Sequence, residues 1–327
     1  MLHRLALLAL CSLIPLRAAE PLRLGMIGLD TSHVIAFTKT FNDATAPGHV
    51  PGGRVVAAYK GGSPDIPASA TRIDGFTKQL VETYGVKLYP TIEELAQNVD
   101  AILIESVDGR PHLDQFRRTL AAKKPVFIDK PFAGTLRDAL EIARLAREAG
   151  VPVFSSSSLR YPPEPVAPKL AAIGTITSVY SIGPADTEPT HPDFFWYGIH
   201  CVEALYAVMG PGCVQVVRTH TANTDVITGI WADGRVGTAQ GNRNGHKGYG
   251  VTVVGTKGVT TFGEKFNYFG LTAEIMKFFQ TGISPVPVET TIELFAFMEA
   301  ADESKRRGGA PVTIAEVMKL AGAVSTK

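Results

Sequence analysis

The 327-residue sequence predicts an α/β protein in two parts. Residues 20–158 read as a doubly wound parallel sheet, and residues 159–327 as an α+β domain with a large, open, mainly antiparallel sheet. Three observations carry this. Up to about Ser158, short continuous apolar runs alternate with amphipathic helical stretches, as parallel strands buried on both faces do. Beyond it, strand-like runs follow one another across tight turns such as Asp233-Gly234, as antiparallel strands do. With 45% hydrophobic and 19% charged residues, the chain has apolar material for two cores.

The elements follow in order. Residues 1–19 have a short polar start at His3-Arg4, an apolar run from Leu5 to Leu16 and a small-residue ending at Ala18-Ala19. This predicts a secretory signal peptide and a periplasmic or secreted protein with no membrane span once mature. The net charge is +1; losing Arg4 and Arg17 would leave 30 basic against 31 acidic residues, a charge of −1. Neither value, without a basic stripe, suits a nucleic-acid partner. In the first domain, strands are expected at Leu24–Gly28, Val55–Tyr59, Ala101–Glu105, Val126–Ile128 and Val153–Ser155. Helices are expected from Thr31 or Ser32 to Phe41, at Asp74–Tyr84 stopped by Gly85, after the capping box at Thr91–Glu94, at Pro111–Ala122, and at Thr135–Ala149 stopped by Gly150. Gly61 to Ala68 reads as a loop. In the second domain, strands are expected at 177–182, 214–221, 226–231, 236–240, 250–255 and 259–262, and helices at 198–209, 271–280 and 290–307. So few helices leave one sheet face apolar and uncovered, which predicts a homo-oligomer. Cys201 and Cys213 read as buried free thiols, with a disulfide as the alternative in an oxidising compartment.

Chemistry concentrates at the carboxyl ends of the first-domain strands, where doubly wound folds bind ligands. The first turn, Gly28-Leu29-Asp30-Thr31-Ser32-His33, keeps only the first glycine of a G-x-G-x-x-G dinucleotide fingerprint. Asp30 would bring bulk and negative charge toward a phosphate, while the helix start at Thr31-Ser32 still offers amides to one. Lys60 stands where an acidic residue would grip a ribose. A second strand ends in Asp129-Lys130-Pro131. Lys130 there can orient a hydroxyl, with Asp129 holding it charged and Pro131 stiffening the exit. The loop from Pro184 to Tyr197 mixes aromatic and polar groups, which suits a polyhydroxylated ligand. No metal site is expected.

Asp129-Lys130-Pro131 resembles the Glu-Lys-Pro signature of the Gfo/Idh/MocA oxidoreductases. Five further stretches resemble that family in the same order: Asp100–Ile104 with His112, Leu159–Pro162, Gly198–Glu203, Val253–Gly258, and Ala301 with Ser304 and Gly308-Gly309. The resemblance covers about residues 22 to 315. It implies a Rossmann-like domain for NAD or NADP, contacted by Gly28, Thr31, Ser32, Asp129, Lys130 and Pro131. It further implies that Lys130 and His200 handle the proton that leaves as hydride moves. The aspartate the family places four residues before the histidine is Trp196 here; Asp193, one helical turn earlier, is the candidate to replace it. Arg160, His191 and Trp196 are the candidate substrate contacts. The reading is an exported NAD(P)-dependent oxidoreductase of a sugar or cyclitol. The alternatives are a redox-neutral, nucleotide-dependent glycoside-cleaving enzyme and a non-catalytic binding protein of the same fold.

Overall fold

A computed structural model describes residues 20–323. The expected leader and its cleavage site lie outside them. The first sheet comprises β1 (Leu22–Ile27), β2 (Gly53–Tyr59), β3 (Lys87–Leu88), β4 (Ala101–Ile104), β5 (Val126–Ile128) and β6 (Val153–Phe154). All pairings are parallel, in the order β3-β2-β1-β4-β5-β6. The chain reverses direction across the sheet between β1 and β4, so the strand ends splay apart there. β4 and β5 are wholly buried, as their unbroken apolar runs require. The helix punctuation acts as its residue types dictate. Gly85 and Gly150 take left-handed φ of 67° and 63° at helix ends. Thr91 and Thr135 accept N–H bonds from Glu94 and Asp138 at helix starts.

The second sheet comprises β7 (Ile176–Pro184), β8 (Cys213–His220), β9 (Thr224–Trp231), β10 (Val236–Asn242), β11 (Gly250–Gly255), β12 (Gly258–Phe262) and β13 (Val312–Thr313), ordered β12-β11-β7-β10-β9-β8-β13. β8, β9 and β10 form the expected antiparallel meander, but β10 lies parallel to β7 at the sheet's centre. The helices Ile199–Met209 and Val288–Arg306 cover one face. On the strands, Tyr180, Val214, Ile230, Val236 and Val254 are each more than a third exposed in the single chain.

Several further features differ from the sequence expectation. The 61–68 segment is not all loop, because Pro67 starts a short helix through Ala70. The helix expected from Gly198 begins earlier, as a wide turn over Phe194–Gly198 that buries Phe194 and Phe195. The helix Phe269–Thr281 packs back on the first sheet, its buried Leu271, Ile275 and Phe278 clustering with Phe37, Phe127 and Phe154. The helices Val166–Ala172 and Ile314–Ala323 and the two-residue strands β3 and β13 were not expected. Cys201 and Cys213 are both free and buried. Among the described residues, no helix is long and apolar enough to cross a membrane.

Candidate active site

The site grows from the first turn. After β1, Gly28 has φ +84°, and a Cβ there would stand 2.1 Å from Ser106 Oγ and 2.6 Å from the Ser106 backbone nitrogen. Only glycine lets the β1 and β4 exits meet so closely. Asp30 is fully buried. Its Oδ1 accepts the Val107 N–H at 2.9 Å and its Oδ2 accepts the Ser69 hydroxyl at 2.6 Å. The carboxylate is therefore tied between the β4 exit and the 67–70 helix, rather than turned toward the cavity where a phosphate would lie. Thr31 and Ser32 do line that cavity and open the helix His33–Asn42. These residues fit a dinucleotide's phosphates: the helix start faces the space and the one new acidic group is occupied elsewhere.

The cavity holds about 210 Å³. Its first-domain wall includes Thr31, Ser32, His33, Val107 and Lys130, and its second-domain wall Trp196, Tyr197, His200, Tyr249, Phe266 and Tyr268. Ala68 and Arg72 close one side. Lys130 follows β5 and precedes a cis bond to Pro131. Asp129 does not hold Lys130 by a side-chain hydrogen bond as expected; its Oδ2 lies 2.7 Å from His33 Nδ1. Burial would raise the Asp129 carboxyl, but His33 and Lys130 outweigh it and hold the group ionised. Glu105, just past β4, is fully buried, and burial together with the Asp129 charge pushes its carboxyl well above the ordinary range.

His200 lies one residue into its helix, with Nδ1 2.7 Å from Ser157 Oγ. Burial, then repulsion from Lys130 and His33, pulls its pKa well below the ordinary value, so the ring is neutral near pH 7. In the tautomer in which Nδ1–H donates to Ser157, Nε2 carries the lone pair. Tyr197 packs edge-on against the His200 ring at 5.2 Å.

Lys130, His200, Trp196, Thr31 and Ser32 thus share one cavity. Gly28, Asp129 and Pro131 stand behind its wall. Three predicted side chains are not brought to it. Asp193 accepts from Arg218 Nη2 at 2.7 Å and from Lys305 Nζ at 2.6 Å. Burial would raise its carboxyl, but these two partners hold it below the usual range. Arg160 donates through Nε to Glu203 at 2.8 Å, a nearly buried pair that ties the 158–160 turn to the His200 helix. His191 lies 3.1 Å from Asp108 Oδ1 and packs on Trp196 at 4.9 Å, supporting the wall from behind. Lys60 pairs with Asp74 on the exposed surface. Sequence reading missed His33, Ser157, Tyr249 and Tyr268. His33 carried a signal, since it stands where the fingerprint wants glycine; the tyrosines come from distant strands and loops and carried none.

The strand order places its switch point between β1 and β4, where doubly wound folds bind ligands, and Lys130 and His200 line the cavity there. The model of the Gfo/Idh/MocA oxidoreductase family, NAD-binding Rossmann fold, matches residues 22–157. The match covers the first domain, where the sequence motifs Gly28–His33 and Asp129-Lys130-Pro131 lie. No curated protein matches the sequence. Among solved structures, an oxidoreductase from Agrobacterium radiobacter in complex with NAD+, L-tartaric acid and magnesium is 16% identical, with TM-score 0.72 over 91% of this chain and 100% of that one. The myo-inositol 2-dehydrogenase from Lactobacillus plantarum is 20% identical, with TM-score 0.70 over 90% and 99%. The apo scyllo-inositol dehydrogenase from Lactobacillus casei is 18% identical, with TM-score 0.69 over 90% and 99%. At these identities the likeness shows the shared two-domain fold.

Proposed function

We propose that this chain is an exported NAD(P)-dependent oxidoreductase acting on a hydroxyl or carbonyl of a sugar or cyclitol. The observation that carries the reading is the placement of Lys130 and His200 on the wall of one cavity at the sheet's switch point. A bound nicotinamide dinucleotide would supply hydride transfer. Thr31 and Ser32 would hold its phosphates at the helix start, behind Gly28. Lys130 would orient the substrate oxygen. His200, kept neutral by its surroundings, would take the hydroxyl proton at Nε2 while passing a hydrogen bond to Ser157. Trp196, Tyr197, Tyr249 and Tyr268 offer ring faces to a polyhydroxylated ring. The cavity is smaller than the about 300–1,000 Å³ of most ligand pockets. The open face of the second sheet would join copies of the chain, and sedimentation at micromolar concentration should show more than a monomer.

Titration of the purified protein with NAD+, NADH, NADP+ and NADPH tests the reading. Saturable binding of at least one is expected. Binding of none, with no copurified nucleotide, overturns it. On a responsive inositol or aldose, Lys130→Ala and His200→Ala should each lower turnover about 10²–10⁴-fold, the usual loss for a proton-transfer group.

A further inference from the structure

The first-turn histidine that displaces the fingerprint's third glycine meets two acids from neighbouring strand ends. His33 Nδ1 or Nε2, a Glu105 carboxylate oxygen and an Asp129 carboxylate oxygen all lie within 4.8 Å of one another. Glu105 and Asp129 are 0% exposed and His33 is 7% exposed. Independently of this clustering, Glu105 Oε1 and Oε2 and Asp129 Oδ1 are buried with no hydrogen-bond partner in the structure. A buried carboxylate without a donor on either oxygen is rare, because the desolvation it suffers goes uncompensated.

We propose that His33, Glu105 and Asp129 bind one divalent transition-metal cation of the Zn2+ or Mn2+ kind. Around a tetrahedral ion with bonds of about 2.0–2.2 Å, ligand atoms stand about 3.3–3.6 Å apart. The three atoms already lie within 4.8 Å of one another, so they close by at most about 1.5 Å to meet that. One imidazole and two carboxylates form a borderline-to-hard donor set, suited to such ions rather than to thiolate-seeking ones. A divalent ion would give the orphaned oxygens a partner. Three protein ligands leave a coordination position free, as open metal sites do. His33 also lines the cavity, so an ion here would sit in its wall, beside Lys130.

The test uses the full mature chain, stripped with EDTA and dialysed, then titrated calorimetrically with ZnCl2 and with MnCl2. One ion per chain is expected for at least one of them. Glu105→Gln, nearly isosteric, and His33→Ala should each weaken that binding by at least about 10–100-fold, the loss typical even of groups that only support a ligand. In parallel, saturating ion should raise the wild-type melting temperature, an effect that depends on binding to the folded state alone. Wild type that binds no ion and shows no shift overturns the proposal. So does either variant, shown folded by circular dichroism, binding as tightly as wild type, since the ion would then sit on other groups. Each readout counts metal without nucleotide or substrate, so it is separate from the outcome of the nucleotide titration.

Discussion

Asp193 distinguishes a role inferred from family resemblance from the one its surroundings dictate. The resemblance makes it a substitute for a proton-handling aspartate, and then Asp193→Asn should cost about 10²–10⁴ in turnover. Its contacts say otherwise. The carboxylate is 30% exposed and spends Oδ2 on the fully buried Arg218 and on Lys305, which is 35% exposed. Hydrogen bonds to charged groups contribute about 1.5–3 kcal/mol each when well shielded, and the exposed lysine contact contributes about 0–1 kcal/mol. Asparagine keeps an acceptor and loses the charge. Arg218 is not orphaned by the change, because Asp225 and Asp302 still pair with it. The cost therefore stays below the about 3–5 kcal/mol of a broken buried pair. We expect about 1–2 kcal/mol, or roughly 2–8 °C in melting temperature at about 2–4 °C per kcal/mol. The pH dependence follows from the sign of the shift. The folded-state carboxyl titrates below its unfolded value of about 3.9, so its stabilisation is present above that pH and lost as pH falls through the folded value. The gap between wild type and Asp193→Asn should close in acid. Thermal melts across pH, with NADH absorbance kinetics on a responsive polyol, read both quantities. An unchanged melting temperature with turnover down a hundredfold would refute the structural role.

Other outcomes follow from the same contacts. Arg160→Ala leaves Glu203, with a side chain 5% exposed, without its guanidinium, and should cost about 3–5 kcal/mol; chemical denaturation with no shift in midpoint would show the pair to be dispensable. Gly28→Ala combines positive φ with a 2.1 Å clash against Ser106, so it should abolish nucleotide binding or folding, and retained wild-type affinity would contradict the geometry. Intact-mass analysis of protein from its native host should show a chain beginning after Ala18 or Ala19, and a chain beginning at Met1 would end the export reading.

Much of the fold was legible because its signals are local. Continuous apolar runs at 101–104 and 126–128 can only be strands covered on both faces, and Gly85 and Gly150 mark helix ends through a backbone conformation other residues resist. The parallel pairing of β7 with β10 was not legible, since strand order depends on a crossover helix and on which edges remain free. Of the site, Lys130 could be picked out because it ends a strand at the edge where doubly wound folds bind ligands, and His200 because Gly198–Glu203 resembles a family motif. The fate of Asp193, Arg160 and Asp30 could not.

The sequence by itself determined the two-domain α/β plan and the elements that line the candidate site, because periodicity, capping and motif order act within short windows. Only the tertiary structure decided which charged groups are free for a ligand. Asp30, Asp193 and Arg160 look available in sequence and are each satisfied by partners 25 to 112 positions away. His33, Glu105 and Asp129 look unrelated in sequence, spread over 96 positions, and converge because β1, β4 and β5 lie side by side with all their carboxyl ends at one edge. Buried polar groups take partners by proximity in space, and a linear pattern does not record that proximity.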